Sequence, residues 1–171
     1  MLSAAKWSQC ANGVAEWSMV VDNNAREVKR EECCTRWKKD VFAFCRLLLG
    51  DGATAEEVAC EALVTFCRGR EVGMSDRGIP PRLVGLAFRA TEKYGNGSPQ
   101  PLPVASRLES AIQCLPRLER AAVIMRNLLR MDWEAMALAT DLSRTQVHEV
   151  WTRGIVQLNE RLHKDVPKEG K

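Results

Sequence analysis

Six side chains able to exchange hydrogen bonds with the edges of nucleic-acid bases crowd into residues 144–153: Arg144, Thr145, Gln146, His148, Thr152 and Arg153. At helical spacing they fall outside a seam of Val147, Trp151, Gly154 and Leu158, which recur at steps of four, three and four. Ser143 precedes them as a natural N-cap, so the polar set begins at a helix N-terminus. A helix arranged this way presents its first turns to a DNA major groove, and its N-terminal amides and dipole can hold a phosphate. Arg144 leads the set, because arginine bonding guanine through two atoms is the commonest specific contact. The solvated face of any helical hairpin would carry the same residue types.

The other reactive side chains point to less. Seven cysteines (Cys10, Cys33, Cys34, Cys45, Cys60, Cys67 and Cys114) and two histidines (His148 and His163) are present. The cysteine count is odd, no C-x-x-C occurs, and both histidines lie far from the cysteines in sequence. A disulfide framework and structural zinc are both disfavoured, and the cysteines read as small, soft core residues. Vicinal Cys33 and Cys34 are compatible with redox sensing, though their spacing does not demand it. No Ser/His/Asp or Cys/His constellation, P-loop or dinucleotide fingerprint is found. The expectation is therefore a protein that is not an enzyme and takes no cofactor or metal. The 25 Lys+Arg against 22 Asp+Glu leave a net charge of +3, too small to announce nucleic-acid binding alone. No apolar run approaches the ~18 residues a membrane span needs. Residues 1–21 lack the plan of a signal peptide. Together these suggest a cytoplasmic chain without membrane insertion.

Only helices have the periodicity to position these groups, so the fold class expected is all-α. Residues 25–49 bring Cys34, Trp37, Val41, Cys45 and Leu48 to one face, and Gly50-Asp51-Gly52 stops the helix. Thr54 and Glu57 have capping-box spacing before a helix with Val58, Ala62 and Phe66 inward. After a loop over 69–79, Pro80-Pro81 opens a helix with Leu83, Leu86, Ala87 and Ala90 apolar. Residues 95–105 carry three prolines and no charge, and read as a flexible linker. The chain thus divides into an unassigned extension (1–24), a first helical domain (25–94), the linker, a second domain (106–164) and a tail (165–171).

In the second domain, Ser106 and Glu109 form a capping box ahead of Leu108, Ala111, Ile112 and Leu115. Pro116 opens a helix with Leu118, Ala121, Met125 and Leu128 inward. A helix over 132–139 and another over 143–163 make a helix-turn-helix. Trp133, Met136 and Ala137 face inward there, Ala137 being small where the helices cross, and Asp141 takes a left-handed turn.

These residues carry a resemblance. Leu115-Pro116-Arg117-Leu118-Glu119-Arg120, the helix after it and the helix-turn-helix resemble the fourth domain of bacterial RNA polymerase sigma factors of the extracytoplasmic-function subfamily. Residues 42–51 and the run Ala55-Glu56-Glu57-Val58-Ala59-Cys60-Glu61-Ala62 are similar to that family's second domain. The resemblance covers residues 32–164, with both halves in the family's order. It departs at Cys60, where the family has Gln, and at Leu83, where it has Trp. His148 and Val150 stand where Lys and Arg are usual, and residues 85–95 keep only Arg89 and Lys93 of a basic run.

The resemblance implies a sigma factor that binds core RNA polymerase and directs promoter-specific initiation, with an anti-sigma factor as a further partner class. Glu56, Glu57 and Glu61 would meet the polymerase clamp. Arg68, Arg70, Arg77, Arg82 and Arg89, around the 69–79 loop, would meet the minus-10 element. Arg144, Thr145, Gln146, His148, Thr152 and Arg153 would read the minus-35 element. The missing basic residues imply weak binding to free DNA, since phosphate contacts supply most non-specific affinity. The alternatives are a stand-alone helix-turn-helix regulator, a degenerate sigma-like protein that opens no promoter, and an interaction module built on Trp7, Trp17 and Trp37.

Overall fold

The structure is a computed structural model that describes residues 23–69, 78–94 and 106–164. It is all-α: the described residues form seven α-helices and one 3-10 turn, with no strand. The extension with Trp7 and Trp17, the linker and the tail lie outside the described residues.

Helix α1 spans Asn23–Leu49. Trp37, Val41, Cys45 and Leu48 are buried, as their spacing predicts, and Phe44 joins them with no exposed surface. Gly50 ends the helix at φ 77°, a left-handed conformation that glycine adopts without a Cβ penalty. Helix α2, Gly52–Arg68, starts earlier than the expected Thr54–Glu57 box. Asp51 is the cap instead. Its carboxylate accepts from the Thr54 N–H at 2.7 Å and from the Thr54 hydroxyl. Those bonds, the hydroxyl's foremost, hold Asp51 below the usual carboxylate range. A charged carboxylate directly after the Gly50 turn outcompetes the neutral hydroxyl three residues on.

Helix α3, Pro81–Ala90, runs into a 3-10 turn, Thr91–Tyr94. Pro81 takes the first helical position, where a missing N–H costs nothing. Helix α4, Arg107–Gln113, has the expected reciprocal Ser106–Glu109 box. Helix α5 spans Arg117–Asn127, α6 spans Trp133–Thr140 and α7 spans Arg144–Lys164.

The two halves of the chain meet along a packed seam. One buried core joins Trp37, Phe44, Leu63, Leu83 and Phe88 from the first half to Met125, Met131, Met136, Ala139, Val147 and Val150 from the second. A satellite core of Ala111, Leu115, Val123 and Leu158 ties α4 and α5 to α7. Residues 25–94 and 106–164, read from sequence as two domains, thus contribute to one buried cluster.

Two devices make the seam. Helices α3 and α6 approach closely because Gly85 faces Ala139; a Cβ on Gly85 would lie 2.9 Å from the Ala139 carbonyl oxygen. Arginines do the rest. Arg120 is buried and donates to the Leu48 carbonyl at the end of α1 and, at 2.8 Å, to that of Leu115. Arg117 donates to the Phe88 carbonyl at 2.6 Å, bonds Thr91 and Glu92, and stacks on the Phe88 ring.

Some inward assignments fail. Leu108 and Leu128 are about half exposed, at 49% and 50%. The first lies on a helix of only 7 residues, and the second caps the end of α5 after its last turn. Ala137, expected at the crossing of α6 and α7, is half-buried, while Ala139 is the α6 residue that meets Gly85 of α3.

Candidate nucleic-acid interface

The second half builds the pattern read from sequence: helix α6, a three-residue connection and helix α7. Asp132 caps α6, its carboxylate accepting from the Ala135 N–H at 2.7 Å. Asp141 ends it at φ 57° and ψ 30°, the left-handed conformation expected there. Ser143 and Gln146 then form a reciprocal cap. The Gln146 N–H donates to the Ser143 hydroxyl, and the Ser143 N–H donates to the Gln146 side-chain oxygen at 2.9 Å. Val147, Gly154 and Leu158 are buried along α7, with Trp151 partly so. Val150 is buried too, at 5%. A position that carries Arg in the resembled family here belongs to the core.

All six polar candidates on α7 are exposed. Exposure leaves them unequally available. Thr145 stands in the first turn of the helix. Arg144 pairs with Glu134 of α6 at 2.7 Å, with both side chains about two-thirds exposed. Arg153 donates to Glu119 of α5 at 3.3 Å. The Thr152 hydroxyl donates to the His148 carbonyl at 2.8 Å. Gln146 spends its oxygen on the cap, which leaves its amide NH2 for other partners.

His148 is not isolated on the surface. Its ring meets Trp133 edge-on at 5.0 Å between centroids and lies 6.1 Å from Trp151, while the two tryptophans are 5.5 Å apart. The Arg126 guanidinium sits 4.6 Å over the Trp133 ring. Trp133 is partly buried against the core, as its inward reading expected, but the sequence did not reveal the cluster it forms with His148 and Trp151. Its signal was the recurrence of aromatic residues on both arms of the turn, at 133 and 151.

The first half holds the other candidates. Arg68 and Arg82 are exposed near the two ends of the 69–79 segment, and the Arg82 guanidinium packs against Gly69. Arg70 and Arg77 lie outside the described residues. Arg89 is drawn away from the others: it pairs with Asp141 at 3.0 Å, across the seam in the turn before α7. Among the carboxylates, Glu57 is exposed and Glu61 pairs with Lys93 at 2.5 Å. One oxygen of Glu56 is buried without a hydrogen-bond partner among the described residues. The expected three-carboxylate face is thus uneven, with Glu57 its most open member. Pairing between residues 61 and 93, or 89 and 141, follows from helix packing and has no local sequence signature.

Among the described residues no helix is long and apolar enough to cross a membrane, and no three His, Cys, Asp or Glu side chains gather as a metal site. The chain matches no protein-family model and no curated protein sequence.

Proposed function

We propose that this protein is a transcription initiation factor of the sigma type, binding core RNA polymerase and reading promoter DNA through α7. The observation that carries the reading is the α6–turn–α7 unit. Its left-handed Asp141 and capped Ser143 present Arg144, Thr145 and His148 outward from the start of a 21-residue helix. A major groove about 12 Å wide admits such a helix, and Arg144 has the donor geometry for guanine. The order of the two motif sets along the chain supports the same reading.

In this mechanism the protein catalyses no bond chemistry. Duplex DNA displaces the Arg144–Glu134 ion pair, which is exposed and worth little by itself. Thr145 and His148 contact neighbouring base edges, with His148 held upright by the Trp133 and Trp151 rings. Glu57, with Glu56 partly enclosed beside it and Glu61 shared with Lys93, gives α2 an acidic point for basic polymerase helices, contributing steering more than affinity. With Val150 in the core and Arg153 paired to the largely enclosed Glu119, α7 keeps fewer cations for phosphate contacts. Polymerase must then supply much of the binding energy.

A second reading has its own support. The α3 face carrying Arg89 packs on α6, which favours a regulator that binds duplex DNA through α7 alone. Run-off transcription with bacterial core polymerase and a randomised promoter library separates the two. The sigma reading expects RNA from a subset of templates sharing two spaced elements. A sequence-specific shift of duplex DNA without any transcript supports the regulator. Neither transcript nor co-migration with polymerase overturns the sigma reading.

A further inference from the structure

Outside the interface, the sulfurs of Cys34 on α1 and Cys67 on the last turn of α2 lie 3.5 Å apart, at thiol hydrogen-bond distance. These residues are 33 apart in sequence, so no local pattern pairs them. Cys34 is half-buried and reachable from solvent, whereas Cys67 is fully buried behind it. We propose that Cys34 and Cys67 are a peroxide-responsive thiol pair that closes to a reversible disulfide between α1 and α2.

The chemistry balances with hydrogen peroxide as oxidant. The Cys34 thiolate attacks one peroxide oxygen, the O–O bond breaks, and the departing hydroxide takes a proton to become water. The product is a sulfenic acid on Cys34. The Cys67 sulfur, deprotonated as it attacks, displaces hydroxide from that sulfenic sulfur. An S–S bond forms and a second water leaves. Two thiols have lost two electrons and two protons, and peroxide has gained both. A dithiol reductant reverses the step by thiol–disulfide exchange.

Position within α1 separates the reactive thiol from an inert one. The bond shared with Cys67 lowers the Cys34 pKa against the opposing effects of burial and Glu31. Cys45, further along the same helix and fully enclosed, is pushed up to about 12 by burial. A thiol with more thiolate character and an open side reacts first. The cross-link would tie the middle of α1 to the turn directly before Gly69, where the 69–79 segment begins.

The test treats the reduced full-length chain with hydrogen peroxide, alkylates remaining thiols after denaturation, and maps tryptic peptides without reductant. The expected product loses about 2 Da and links peptide 31–36 to peptide 47–68. These peptides also hold Cys33 and Cys60, so the link must persist in a Cys33→Ser, Cys60→Ala chain. It must vanish in Cys34→Ser and in Cys67→Ala, the alanine being chosen to spare the core. In the reduced chain Cys34 should also alkylate at least about tenfold faster than Cys45. A link that survives Cys67→Ala overturns the proposal. So does a gain of about 32 Da on Cys34, the mark of sulfinic acid, while Cys67 still alkylates after denaturation.

Discussion

Four arginines of the second half divide into two pairs by what holds them. Arg117 and Arg120 turn toward the first half and bond backbone carbonyls at Phe88, Leu48 and Leu115. Arg144 and Arg153 stay at the surface and pair with the carboxylates of Glu134 and Glu119. A carbonyl buried with its donor cannot regain water when the donor leaves, so the inner pair is part of the architecture. The Arg144–Glu134 pair, exposed on both sides, exchanges its partner for water, or for a phosphate or guanine, at small cost, whereas Glu119 is only 13% exposed and holds Arg153 more firmly. The same side chain is thus fixed in one place and available in the other, and the surroundings decide which.

The sharpest way to break this contrast is Arg120→Met. It keeps most of the volume but strips the Leu48 and Leu115 carbonyls of their donor, and should cost about 3 kcal/mol in urea unfolding. A loss below roughly 0.5 kcal/mol would put Arg120 in the exchangeable class. Next comes Gly85→Ala, which drives a methyl into the Ala139 backbone and should cost about 2 kcal/mol from overpacking. Both variants should lower a single cooperative transition, since the halves share one core. Two separate transitions would count against a common interior.

On the surface side, Arg144→Ala should leave stability within about 0.5 kcal/mol while weakening discrimination between promoter variants by about 1–3 kcal/mol. Equal transcription across variants would remove Arg144 from base reading. Asp51→Ala tests a carboxylate held by amides and a hydroxyl instead of by arginine, and should cost about 1 kcal/mol. Folding lowers the Asp51 pKa, so its contribution is complete above the ordinary carboxylate range and is lost as pH falls through the lowered value. The wild-type protein should therefore lose more stability on acidification than Asp51→Ala, measured by thermal unfolding across that window. The smallest effect belongs to Glu134→Gln. It frees Arg144 and should tighten duplex binding by less than about 1 kcal/mol, with unchanged stability.

Much of the helical layout was legible in the sequence because its signals are local. The face of Trp37, Val41, Cys45 and Leu48, the Ser106–Glu109 box and the left-handed Asp141 depend on residues within a turn or two of each other. What escaped depends on contacts between distant segments. Gly85 looks like a weak point within a helix until Ala139 is set against it. Arg120 fitted a family pattern, but nothing nearby indicated that its guanidinium reaches Leu48. Asp51 was absorbed into a helix stop, which hid its role as a cap. The polar face of α7 was identified correctly as exposed, while its partners Glu134, Glu119 and Trp133 come from other elements. The cysteines divide likewise: Cys45, Cys60 and Cys67 are core residues as read, whereas the approach of Cys34 to Cys67, 33 residues away, had no local signal.

Arg120 also bears on how this molecule can be re-engineered. Its two acceptors come from opposite sides of residues 95–105, so neither half by itself offers the guanidinium a complete set. A chimera cut within that segment, joining one half to a foreign counterpart, would strand a cation in an apolar interior. Grafts that carry the Leu48–Gly50 corner together with residues 115–120 keep donor and acceptors in step, and those are the boundaries at which this chain can be exchanged.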